Sequence, residues 1–230
     1  MSLLNDTNRV FIILPAYNEE AVVRSVLQEL LPLHHTIVVV DDGSSTELSE
    51  VVGDLPVYVL RHRVNLGQGA ALQTGIEFAL EKNAAYIITF DADGQHQAAD
   101  IAALLAPLAA KEADITLGSR FLKNTSNIPS RRKQLLKFAR LVNFVFTGLW
   151  LTDAHNGIRA MTANAARKIK IRQNGMAHAT EIVATIRKKN ISYREIPVTI
   201  TYSAYSRNKG QTIWGGFRIF FDILLNKIFK

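Results

Sequence analysis

Three apolar runs in this chain each end in a polar cluster bearing carboxylates, and the segments between them keep helical spacing. Arg9 to Leu14 runs into Pro15-Ala16-Tyr17-Asn18-Glu19-Glu20, Thr36 to Val40 into Asp41-Asp42-Gly43-Ser44-Ser45, and Ala84 to Phe90 into Asp91-Ala92-Asp93-Gly94. Short continuous apolar runs bounded by turns read as strands buried on both faces, as in a parallel sheet. Val22, Val23, Val26, Leu27 and Leu30 recur at the helical interval, and so do Ala71, Leu72, Ile76, Ala79 and Leu80 after Gly67-Gln68-Gly69. The alternation predicts an α/β fold with a mostly parallel central sheet flanked by helices. In such a sheet the carboxyl ends of the strands share one edge, where ligands bind.

Asp91 and Asp93 are the sharpest feature of that edge. Two carboxylates one residue apart repel unless a cation lies beside them. Oxygen donors alone suit Mg²⁺ or Mn²⁺, ions that usually share the phosphates of a substrate. The plainer alternative is a solvated Asp-Ala-Asp-Gly turn, since both residue types favour turns.

Composition narrows the classes. A chain of 230 residues with 48% hydrophobic and 20% charged residues suits one substantial globular domain. It has no cysteine, which excludes disulfides and thiolate metal sites. The first ten residues lack a signal-peptide core. No stretch reaches the ~20 apolar residues of a membrane-spanning helix. Charge is divided: residues 1–119 hold 6 Lys and Arg against 16 Asp and Glu, and residues 120–230 hold 21 against 4. The basic half is built to meet anions, whether substrate phosphates, an anionic membrane surface or nucleic acid. Its cations show no nucleic-acid motif and mix with amphipathic segments, so no nucleic-acid partner is expected.

Leu14-Pro15-Ala16-Tyr17-Asn18-Glu19, Val40-Asp41-Asp42-Gly43-Ser44, Asn65-Leu66-Gly67-Gln68-Gly69, Asp91-Ala92-Asp93-Gly94-Gln95-His96 and Gly118-Ser119-Arg120 occur in the order seen in family 2 glycosyltransferases of the GT-A fold. Within that family the chain most resembles the polyprenyl-phosphate sugar synthases. The resemblance implies that Pro15, Tyr17 and Glu19 line the nucleotide pocket and that Val40 and Asp42 contact base and ribose. It further implies that Asp91, Ala92 and Asp93 hold the donor diphosphate, with Asp91, Asp93 and Gln95 as ligands of Mg²⁺ or Mn²⁺. Arg120 would face the phosphates, and Lys209 would sit on a loop covering them. The family often has an Arg six residues before that Lys; Ser203 stands there, with Arg207 as the substitute. Asp153 and Arg159 match a segment near the acceptor, and Glu181 and Glu195-Ile196-Pro197-Val198 a helix and strand that close the site. Asp93, Arg120, Asp153 and Glu181 are the catalytic candidates.

Plainer roles stand beside these. Tyr17 could pack on the sheet, Glu19 could favour a helix N-terminus, Gly67 and Gly69 could be turn glycines, and Arg159 could pair with Asp153. His96 and His155 are not expected to be ligands. The family implies an inverting hexosyltransferase that uses a UDP- or GDP-linked sugar. A saccharide hydroxyl acceptor would need a carboxylate base, Glu181 or Asp153. A lipid phosphate is already an anion and needs cations for positioning. The basic second half favours polyprenyl phosphate.

Two segments support a lipid. Arg131, Arg132, Lys133, Lys137 and Arg140 precede Leu141-Val142-Asn143-Phe144-Val145-Phe146 and Trp150. From Ile213 to Lys230 a narrow polar stripe faces Trp214, Phe217, Phe220 and Phe221, a pattern that suits a membrane interface. Its alternatives are a core-packing helix or a contact for a partner. Residues 1–210 are thus expected to form the GT-A domain, and residues 211–230 an amphipathic helix. The expected location is the cytoplasmic face of the membrane, peripherally, with a small membrane protein or a second copy as further partners.

Overall fold

A computed structural model describes residues 9–122, 140–141, 143–153 and 156–201. Strands and helices alternate through the first half as β1 (Val10–Ala16), α1 (Val23–Leu30), β2 (Thr36–Asp41), α2 (Leu48–Val52), β3 (Tyr58–Arg61), α3 (Gln68–Glu81) and β4 (Tyr86–Thr89). The second half adds α4 (Ile101–Ala109), β5 (Ile115–Ser119), β6 (Arg159–Thr162), α5 (Ala163–Lys168), α6 (His178–Lys188) and β7 (Tyr193–Pro197). All seven strands join one sheet in the order β3-β2-β1-β4-β6-β5-β7.

Side chains alternate across the sheet as the pleat requires. Val10, Ile12 and Leu14 of β1 pack with α1, α2 and α4 on one face. Phe11 and Ile13 pack with Val38, Val40 and α3, α5 and α6 on the other. Burial on both faces is the reason the strand runs are continuously apolar. Removing one such buried Ile or Leu side chain from water is worth about 1.5–3 kcal/mol, so the sheet centre outweighs weak local propensities.

The mostly parallel sheet expected from the sequence has one reversal. β6 runs antiparallel to both β4 and β5, setting Arg159 opposite Thr89 on one side and Leu117 on the other. β1 also runs further than its apolar stretch, taking in Pro15 and Ala16. A proline costs a ladder donor, yet β4 pairs with β1 only as far as Ile13 opposite Thr89. Position 15 faces the same side as position 13, so Pro15 falls where β1 and β4 part and no partner is lost. That parting opens the cleft. The amphipathic stretch 211–230 and the cations Arg131 and Arg132 lie outside the described residues.

Candidate active site

The ends of β1 and β2 are stitched together by Asn18, whose φ of 52° is one that Asn tolerates better than most residues. Its amide donates to Ser44 Oγ at 3.0 Å, and its Oδ1 accepts from the Ser45 amide at 2.9 Å. Pro15 is buried in β1. Tyr17, just past the end of β1, leaves 45% of its surface exposed at the edge. The Glu19 carbonyl accepts from the amides of Val22 and Val23 at the start of α1.

The Val40 side chain is fully buried in the core beneath α3, on the sheet face it shares with Val38. Asp42 is at the edge, but its carboxylate already organises the protein. Oδ1 accepts from His62 Nδ1 at 2.7 Å and from the Leu66 amide at 2.9 Å, and Oδ2 accepts from the Gly67 amide at 2.7 Å. His62 reaches on to Thr74 Oγ1 at 2.9 Å, tying this acid to α3. Asp41 does similar work, accepting from the Ser44 amide at 2.8 Å.

Beyond β4, Asp91 and Asp93 occupy the centre of the edge. Gln68 Nε2 donates to Asp91 Oδ1 at 2.9 Å, and His96 Nε2 lies 3.0 Å from Asp91 Oδ2. Asp93 is held by its own turn: the Gln95 amide donates to Oδ1 at 3.0 Å and Gln95 Nε2 to Oδ2 at 2.7 Å. Gly157 approaches so closely that a methyl there would overlap the Asp91 carboxylate. Arg159 is 3% exposed, and its Nη1 has no partner among the described residues.

Charge in this cluster is uneven. Burial alone would raise the Asp91 carboxyl, but the His96 hydrogen bond and the charges of His96, Arg159 and His178 hold it below its ordinary value. Asp93 is pushed up to about 6, first by burial and then by the neighbouring Asp91 charge. Burial lowers Arg159 from its usual range, with Asp91 and Asp153 acting against it. Two adjacent carboxylates, one of them raised by the other's charge, offer hard oxygen atoms that fit Mg²⁺ or Mn²⁺. Among the described residues no group of three or more His, Cys, Asp and Glu could enclose a metal. A cation on Asp91 and Asp93 would need further oxygen ligands; the Gln95 side chain lies against Asp93, and Mg²⁺ commonly keeps water and substrate oxygens as well.

The far wall is built on β5 and β7. Arg120 Nε donates to Asp153 Oδ2 at 2.6 Å, in a pair that is nearly buried. Asn156 Nδ2 donates to the same oxygen at 3.2 Å. Asp153 is thus hydrogen-bonded to Arg120, while its charge also acts on Arg159. Glu195 Oε1 accepts from the Thr152 amide at 2.7 Å and the Asp153 amide at 3.3 Å, which sets the height of that segment. Glu181 is spent elsewhere: its Oε2 accepts from the amides of Arg172 and Gln173, both at 2.9 Å. The loop so fixed sends the Asn174 carbonyl to the Gly69 amide at 2.7 Å. Any side chain at Gly69 would strike Gln173, so this glycine serves close approach rather than a turn.

The structure therefore gathers Tyr17, Glu19, Asp42, Asp91, Ala92, Asp93, Gln95, Arg120, Asp153 and Arg159 along one edge, and leaves Glu181 behind the Gly67–Gly69 loop. Ser203, Arg207, Lys209, Trp214 and Phe217 lie outside the described residues, as do Arg131, Arg132 and His155. Sequence reasoning gave no role to the Gln68 side chain, whose partner Asp91 is 23 residues away, and did not foresee the bonds of His96 to Asp91 or of Glu195 to Thr152.

Similarity to known proteins identifies the family. Residues 11–170 match glycosyl transferase family 2. The UDP-N-acetylglucosamine–dolichyl-phosphate N-acetylglucosaminyltransferase of Methanococcus voltae is 29% identical, over 96% of this chain and 97% of its own. The undecaprenyl-phosphate mannosyltransferase of Micrococcus luteus is 30% identical, over 84% and 83%. Glucosyl-3-phosphoglycerate synthase of Mycobacterium tuberculosis, solved with Mn²⁺, UDP and glucosyl-3-phosphoglycerate, shares the fold with a TM-score of 0.70 at 15% identity, over 95% of this chain and 79% of that one. The parallel edge, its paired acids and this match over most of the chain make the protein a glycosyltransferase belonging to glycosyl transferase family 2.

Proposed function

We propose that the enzyme transfers one sugar from a UDP- or GDP-linked donor to a polyprenyl phosphate, with inversion and with Mg²⁺ or Mn²⁺ on Asp91 and Asp93. Relatives named for dolichyl phosphate and undecaprenyl phosphate acceptors support this reading. One observation carries the choice of a phosphate acceptor. Asp153, Glu181 and Glu195, the carboxylates of the basic half among the described residues, are each already engaged by protein donors. A hydroxyl acceptor would need one of them as base. A phosphate oxygen attacks as an anion, forming its bond to the anomeric carbon as the bond to the nucleotide diphosphate breaks.

Bound at the two aspartates, a divalent ion supplies Lewis-acid stabilisation of the departing diphosphate. The protein's own part is placement. Asp153 fixes the Arg120 guanidinium, whose charge favours anionic oxygens. Arg159 holds a second cation in the wall beside the acids, on the acceptor side. Tyr17 and Glu19 line the donor, and Arg207 and Lys209, which follow β7 in the chain, cover its phosphates.

The docking surface follows the same logic. Leu141, Phe144, Val145 and Trp150 are exposed, Phe144 stacks edge-on to Trp150 at 5.1 Å, and the Arg140 guanidinium lies 4.4 Å above the Trp150 ring. Apolar side chains edged by a cation suit the interface of an anionic bilayer. Among the described residues no helix is long and apolar enough to cross a membrane. The attachment is peripheral and on the cytoplasmic face, aided by residues 211–230 as an interfacial helix and by a small membrane protein or a second copy.

Incubating the chain with Mg²⁺ or Mn²⁺, a panel of nucleotide-sugars and undecaprenyl or dolichyl phosphate, with products read by mass, tests the proposal. A glycosyl-phospholipid product is expected. Transfer to saccharides alone, together with loss of turnover in Glu181→Gln at unchanged donor binding, would replace it with the hydroxyl route.

A further inference from the structure

Asp91 and Asp93 are restrained in different ways. Asp93 is held within its own turn by Gln95. Asp91 is gripped from two separate elements, by Gln68 at the first residue of α3 and by His96 beyond the turn. We propose that Gln68 and His96 are positioning residues that fix the plane of the Asp91 carboxylate for the divalent cation; this rests on the reading of Asp91 and Asp93 as cation ligands.

One hydrogen bond to each oxygen stops rotation of the carboxylate and still leaves a lone pair on each for an ion. Both donors are themselves fixed. Gln68 lies between the Gly67 amide, bound to Asp42 Oδ2, and the Gly69 amide, bound to the Asn174 carbonyl. His96 is 4% exposed and stands edge-on to Phe90 at 5.4 Å, and its backbone bridges to Ile200. Its Nδ1 has no partner among the described residues, so its contact with Asp91 is made through Nε2. Gly157 closes the remaining side of the carboxylate without a side chain. Outer partners of this kind orient a metal ligand, and their loss typically weakens metal binding about 10–100-fold.

The test is a Mn²⁺ titration of the full chain, followed by the electron paramagnetic resonance of the unbound ion, with Mn²⁺ alone and with UDP or GDP added. Gln68→Met keeps length without donors; His96→Phe keeps a ring without a donor; His96→Gln restores an N–H at similar reach. Both donor-less variants should bind Mn²⁺ about ten-fold more weakly, and His96→Gln should recover most of that loss. Turnover at saturating Mn²⁺ should fall far less than the Mn²⁺ half-saturation shifts, a split that a general loss of structure would not give. Unaltered Mn²⁺ affinity in Gln68→Met and His96→Phe overturns the positioning role while the cation reading stands. If the unaltered chain and Asp93→Asn both fail to take up Mn²⁺ under every condition, the cation reading falls and the positioning role with it. Should His96→Phe not fold, Gln68→Met at its partly exposed position decides alone.

Discussion

At the scale of single residues, Asp93 is where function opposes stability. Its carboxyl is raised from 3.8 to about 6 by burial and by Asp91. A carboxyl raised in the folded state holds extra protons there, so its contribution to stability is full below 3.8 and is lost as pH rises through about 6. Thermal melts of the metal-free protein should therefore show stability falling across that window, and the Asp93→Asn variant should lack that slope. The same variant should lose on the order of 100-fold or more in metal-dependent transfer while melting no lower at neutral pH. Turnover near the unaltered level would remove Asp93 from the metal site. A second residue prediction concerns Gly157→Ala, whose methyl meets Asp91. Shifting strand or carboxylate to relieve that overlap should cost on the order of 1–3 kcal/mol, read as a lower Tm with weakened Mn²⁺ binding. Asp91 and Asp93 were legible in the sequence because they follow an apolar run directly. Gln68 was not, since a hydrogen bond across 23 residues leaves no local pattern; His96, five residues past Asp91, was set aside as a ligand because a lone histidine does not show which atom it will meet. The burial of the Val40 side chain was not legible either: a motif position says nothing of which face of the strand it occupies.

At the scale of elements, the loop before α6 acts as a wedge against the start of α3. Glu181 holds it by two amides, and Asn174 and Gln173 then press on Gly69. Replacing Glu181 with Ala leaves those donors unmet and should destabilise the fold by about 1–3 kcal/mol. Glu181→Gln keeps an oxygen acceptor and should be milder, both in melting temperature and in transfer. A Gln variant that folds normally but has no turnover would instead assign Glu181 to chemistry. The strands were readable because burial on both faces makes them uniformly apolar; the reversed β6 was not, because Arg159-Ala160-Met161-Thr162 is short and holds a charge. Arg159 sits in a strand at 3% exposure, against the general rule for arginine, since acids from two other elements surround it.

At the scale of the whole molecule, the division of charge is the broadest feature, and it predicts behaviour on surfaces. Sedimentation with vesicles containing anionic lipid should exceed that with neutral vesicles and should decline as salt rises toward about 0.5 M. Changing Phe144 and Trp150 to Ser should reduce the binding that remains at high salt, leaving donor hydrolysis in solution intact. Vesicle binding that ignores both lipid charge and these two residues would remove the docking surface. The sequence carried this charge balance openly, whereas the pairing of Phe144 with Trp150 emerged only from three-dimensional contact. The position of β6 has a further consequence for synthesis. Because β6 fills the gap between β4 and β5, a nascent chain that has passed Ser119 still leaves the Tyr86–Thr89 strand with a bare flank. Until residue 162 leaves the ribosome, that flank can recruit any extended peptide. Truncation before Arg159 should therefore yield aggregates rather than a smaller soluble domain.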